Sequence, residues 1–115
     1  MRNHNSRKNN TSALDELYEA ILCLETKDEC EAFFADLCTV LELQTLSQRL
    51  QVAKMLRDHY VYHDIVGTTG ASTATISRVN RSLGNGYDIV FDRLQRKQKA
   101  DPGTYVNSGA EENEE

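Results

Sequence analysis

The stretch Ser72–Arg81, STATISRVNR, concentrates side chains suited to molecular recognition: hydroxyls at Ser72, Thr73, Thr75 and Ser77, a methyl at Ala74, and guanidinium groups at Arg78 and Arg81. Short hydroxylated side chains exchange hydrogen bonds with base edges, methyl groups touch thymine, and arginines hold phosphates and so fix register. His63, a little upstream, adds a group able to contact a phosphate. This is the chemistry of reversible recognition and makes no covalent bond.

Other constellations in the chain point to structure and away from catalysis. The adjacent carboxylates Asp15–Glu16 and Asp28–Glu29 fall in first helical turns, where acids stabilise the positive end of the helix dipole. No Ser/His/Asp or Cys/His arrangement can be assembled, so an enzyme is not expected and no catalytic residue is assigned. His59 and His63 are four apart but lack a third ligand at a fitting spacing, so no metal site is expected. Cys23, Cys30 and Cys38 contain no C-x-x-C pair and are odd in number, which excludes a closed disulfide framework. They fall on apolar helix faces, where a free cysteine packs as a small hydrophobe. No cofactor is required.

A chain of 115 residues with 39% hydrophobic and 27% charged residues has room for one small domain. Its longest apolar run, Ala20–Leu24, is far too short to span a membrane, and no secretory leader is visible, so a cytoplasmic protein is expected with no membrane partner. The net charge of -5 conceals four segments. Residues 1–11 carry +3; residues 12–44 set one lysine against nine acids; residues 45–98 carry eight bases against four acids; residues 99–115 set one lysine against five acids. A basic central segment between acidic ones is the footprint of a region that meets a polyanion.

The elements that must position Ser72–Arg81 follow from capping and periodicity. Ser12–Asp15, Thr26–Glu29 and Thr39–Glu42 each have the Ser/Thr-x-x-acid form of a capping box or its Asp variant. After them come stripes at helical spacing: Leu14, Leu17, Tyr18, Ile21 and Leu24; Cys30, Phe33, Phe34, Leu37 and Leu41; Leu43, Leu46, Leu50, Ala53 and Leu56. A last helix carrying Tyr87, Val90, Phe91 and Leu94 follows Gly84-Asn85-Gly86. Between them, residues 62–83, YHDIVGTTGASTATISRVNRSL, read as a short helix with Ile65 and Val66, a turn at Gly70 requiring positive φ, an N-cap at Ser72 and a second helix. This is a helix-turn-helix in an all-α fold. Ile65, Ala71, Ile76, Val79 and Leu83 join the helices, leaving Thr73, Ala74, Ser77, Arg78 and Arg81 outward. The second helix is thereby fitted to the major groove of double-stranded DNA. The function expected is sequence-specific transcriptional regulation; the alternative is a protein-interaction adaptor that uses the same fold, with the acidic residues 12–44 as its attracting surface.

The block ASTATISR, with QRLQVAKMLRD on the preceding helix and ECEAFFADLCT before it, resembles the Trp repressor superfamily, near its YerC/YecD-type branch, over about residues 13–95. The resemblance implies a six-helix intertwined homodimer, a repressor acting on a palindromic operator. By position, Thr73, Ala74 and Ser77 resemble the family's base-contacting residues. Thr39, Arg49, Arg78 and Ser82 fall at or near its amino-acid co-repressor positions, which implies a possible small-molecule effector. Tryptophan-binding members have a glycine immediately after the arginine of ATI-[ST]-R, where this chain has Val79. That branched side chain occupies the indole's slot and disfavours tryptophan as the effector. The organisation expected is a disordered basic arm over 1–11, a Trp repressor-like DNA-binding domain over 12–98 with its helix-turn-helix at 62–83, and a disordered acidic tail over 99–115. The DNA-binding set is Ser72, Thr73, Ala74, Thr75, Ser77, Arg78, Arg81 and His63.

Overall fold

The computed structural model describes residues 2–100, with side chains from Thr11 onward; beyond Ala100, the acidic tail lies outside the described residues. The described chain is all-α, with six helices: α1 Arg2–Leu22, α2 Lys27–Leu37, α3 Val40–Arg57, α4 Tyr62–Thr69, α5 Thr73–Arg81 and α6 Asn85–Ala100. None of them is long and apolar enough to cross a membrane.

The bounds of two helices differ from the sequence reading. α6 takes in Asn85 and Gly86, expected to precede it, and Lys99 and Ala100, expected to belong to the disordered tail. α1 begins at Arg2, so residues 2–11, expected to form an unstructured arm, are helical, and Ser12 lies inside the helix without acting as its N-cap. No Pro or Gly interrupts residues 2–22, and once a turn has formed, each added residue gains a backbone hydrogen bond without a new nucleation cost.

The other two boxes cap helices. Thr39 Oγ1 accepts from the Glu42 amide at 3.0 Å, and Glu42 Oε1 accepts from the Thr39 amide at 2.8 Å, the reciprocal pair that starts α3. At α2, Thr26 Oγ1 accepts from the Glu29 amide at 3.1 Å, while Glu29 Oε1 reaches one residue further back, to the amide of Glu25 at 2.8 Å.

The chain divides into two units, one up to Thr45 and one from Leu46, with the boundary inside α3. Among residues 11–45 of the first unit, no residue is buried. Its apolar stripes are half-buried at Leu17, Ile21, Leu24, Phe33 and Phe34 and exposed at Leu14, Tyr18, Leu37 and Leu41, and Leu22 and Val40, outside the stripes, are 83% and 73% exposed. Phe33 and Phe34 meet edge to face, with ring centroids 5.4 Å apart.

The second unit has a core. Val52 and Ala53 of α3, Ile65 of α4, Ala71 of the turn, Ile76 and Val79 of α5 and Phe91 of α6 are buried together, with Met55, Leu56, Tyr62, Leu83 and Tyr87 packed around them. Val52, outside the stripe read for α3, is fully buried, whereas Leu46 and Leu50, within it, stay about half exposed. Burying a side chain such as Ile65 or Ile76 is worth about 1.5–3 kcal/mol, so these few residues carry most of what positions α5.

Arg57 ties α3 to α6 in three ways. Arg57 pairs with Asp88, at 3.4 Å, and with Asp92, and its guanidinium carbon stands 5.7 Å from the centroid of the Phe91 ring. Phe91 in turn stacks on Tyr87 at 5.8 Å. α3 ends in a Schellman turn: the Tyr60 amide donates to the Met55 carbonyl and the His59 amide to that of Leu56, both at 3.0 Å. His59 occupies the left-handed position of this turn at φ 68°, where glycine is the usual residue. Its backbone serves the turn, and among the described residues no group of three or more His, Cys, Asp or Glu is disposed to hold a metal.

Candidate nucleic-acid interface

α4 stops at Thr69 because Gly70 takes φ 74° and its amide donates to the Val66 carbonyl at 2.9 Å. A Cβ built on Gly70 meets nothing within 4 Å, so the turn needs glycine for its backbone conformation and not for space. Thr69 locks the corner. Its hydroxyl donates to the Ile65 carbonyl at 2.7 Å and accepts from the Ala71 amide at 3.1 Å, and Gln48 Nε2 donates to its carbonyl at 3.2 Å. Sequence reasoning missed Thr69 and Gln48; a threonine just before the turn glycine was the visible signal for the first, but a bond spanning 21 positions leaves none.

α5 starts at Ser72, whose Oγ accepts from the Thr75 amide and donates to Thr75 Oγ1, both at 3.1 Å. Ile76 and Val79 turn into the core and are 0% and 4% exposed. Thr73, Ala74, Arg78 and Arg81 are exposed, whereas Thr75 and Ser77 are half-buried. Of the residues expected to meet DNA, Ser72 and Thr75 are thus joined to each other in the cap, and His63 is exposed on α4. The first turn of α5 holds no acid, leaving its positive end free of the carboxylate found in the first turns of α2, α3, α4 and α6.

The four residues at the co-repressor positions are placed as follows. Thr39 belongs to the first unit and is engaged in the cap of α3. Arg49 and Arg78 are exposed. Ser82 caps α5, its Oγ donating to the Val79 carbonyl at 3.0 Å. With Leu50, Gly84, Gly86, Tyr87 and Val90 it lines an open depression of about 390 Å³, and no hydrogen bond or ion pair among the described residues joins it to Arg49 or Arg78.

A short helix, a left-handed glycine, a hydroxyl N-cap and a second helix held by its buried face define a helix-turn-helix protein. Residues 12–98 match the profile of the family described as Trp repressor protein, and the chain belongs to that family. The Bacillus subtilis (strain 168) protein YerC is 51% identical over 88 residues, which span 74% of this chain and 85% of YerC. Two solved structures have similar folds. A candidate Trp repressor from Staphylococcus aureus is 60% identical, with a TM-score of 0.70, over 73% of this chain and 87% of that one. A TrpR-like protein from Eubacterium eligens ATCC 27750 is 59% identical, with a TM-score of 0.72, over 77% of this chain and 95% of that one.

The two left-handed residues give opposite expectations under denaturant. Gly70→Ala lowers stability by about 1–2 kcal/mol, the cost of a side chain in that conformation, and Gly70→Asn lowers it less. His59→Gly raises stability by about 0.5–1 kcal/mol by removing the same strain. Equal effects of Gly70→Ala and Gly70→Asn would mean that backbone sign does not set the corner.

Proposed function

We propose that this protein is a sequence-specific DNA-binding transcriptional regulator, a repressor that acts as a homodimer on a palindromic operator. The observation that carries this reading is α5, held by Ile76 and Val79 with Thr73, Ala74, Arg78 and Arg81 left exposed. Thr73, Ala74 and Ser77 read base edges from the capped end of the helix. Arg78 and Arg81 hold phosphates, and His63 adds a contact from α4. Ser72 and Thr75 act through the cap, setting the depth at which the helix enters the groove.

The dimer is supported by the first unit. Its exposed apolar residues Leu14, Tyr18, Leu22, Leu37, Val40 and Leu41 are more apolar surface than a lone domain of this size leaves uncovered without a partner. A second copy covering them gives the twofold symmetry that a palindromic operator mirrors.

For the effector, Val79 supports a negative reading. It stands where tryptophan-binding relatives have a glycine and is packed in the core, so admitting an indole beside it displaces packed atoms, at about 1–3 kcal/mol or more. Arg49 and Arg78 remain available to a carboxylate, so a smaller effector fits better than tryptophan.

Three measurements test these assignments. Arg81→Ala weakens binding to all duplexes alike and reduces the salt slope by about 0.9, the value of one phosphate left unneutralised, whereas Ser77→Ala changes the preferred base at one position by about 1–3 kcal/mol. An unchanged base preference in the Ser77 variant overturns the docking. Calorimetric titration with L-tryptophan gives no micromolar binding; binding that also tightens the DNA complex would overturn the reading of Val79.

A further inference from the structure

α6 divides its charges along its length. Its two acids, Asp88 and Asp92, both pair with Arg57, on the flank that packs through Phe91. Its four bases, Arg93, Arg96, Lys97 and Lys99, are all exposed, and no acid follows Asp92 within the helix. At about 100° per residue, Arg93, Arg96 and Lys97 lie about 200°, 140° and 240° around the helix from the buried Phe91, so the three share its outward face. No hydrogen bond or ion pair within the described residues engages any of them.

An ordinary helical reason covers only part of this stripe. Cations near a helix C-terminus are stabilised by the dipole, but the effect fades within the last turn. Lys97 and Lys99 stand in that turn. Arg93 and Arg96 precede it; Arg93 repels Lys97 four residues on, and the acid within helical reach of Arg96, Asp92, is already paired with Arg57. Such an arrangement suits a partner that supplies closely spaced negative charge along a line, and duplex DNA, with one phosphate per ~1.7 Å of axis, does so.

We propose that the outward face of α6, through Arg93, Arg96 and Lys97, is a second contact with the DNA backbone, blind to sequence and separate from the recognition helix. It rests on the DNA-binding reading and deepens it. α5 supplies discrimination between sequences, and α6 supplies affinity that is uniform across them.

The test compares the full chain with the Arg93→Gln, Arg96→Gln, Lys97→Gln triple variant on one operator duplex and one unrelated duplex, titrated over a salt series. The expected result is a salt slope smaller by about 2–3, at about 0.9 for each phosphate that the variant leaves unneutralised. Affinity falls in parallel for both duplexes, the ratio between them is unchanged, and the thermal midpoint is held or raised because the three side chains have no internal partner. If the parent chain binds and the triple variant has the same slope, the proposal is overturned while the α5 reading stands. If the parent chain binds neither duplex, both are overturned.

Discussion

Everything proposed for α5 depends on one constraint: the chain must reverse at Gly70 so that Ile65 and Ile76, both fully buried, share a core. Neither helix is long enough to persist alone, at eight and nine residues, because isolated helices of this length are marginal in water. The apolar contact gives them stability, and the left-handed glycine gives the angle. Thr69 and Gln48 remove the remaining freedom of the corner by satisfying its backbone groups. The polar face of α5 is then fixed by its buried face, so recognition residues need no contacts of their own to be held in place. A site built on a packed helix in this way is more exact than one on a loop.

The two units share the work unequally. The second has a small core of its own and presents α5 and α6 from it; the first has amphipathic helices but no buried residue from Thr11 to Thr45. Helices whose apolar faces remain open draw their stability from something outside the chain, and the proposed second copy provides it. With a second copy on those faces, as proposed, cooperative folding of the whole molecule would be inseparable from association, as in obligate dimers.

How much of this was legible in the sequence depended on the range of each interaction. Caps are local, so the boxes at Thr26 and Thr39 and the N-cap at Ser72 could be read within four residues, and Gly70 announced the corner by its type alone. Locality also misled at Ser12, where a capping pattern sits inside a longer helix because a pattern can be present without being used. The clamp of Arg57 on Asp92, 35 positions apart, and the bond from Gln48 to Thr69 had no local trace, since nothing near either residue distinguishes a paired side chain from a solvated one. His59 escaped for a different reason: a left-handed conformation is uncommon for any residue but Gly, so the turn it forms is visible only in the backbone. Within the candidate site, periodicity separated buried Ile76 and Val79 from the exposed face, but not half-buried Ser77 from exposed Thr73, a difference of degree set by packing.

The central claim is that α5 reads DNA sequence from a twofold-symmetric pair of copies. Selecting the duplexes that the purified full chain retains from a random pool tests this most directly. The expected result is enriched sequences made of two inverted half-sites whose centres lie about 34 Å, or one helical turn, apart. A retained pool with no enriched sequence, or a single unrepeated half-site, would contradict it.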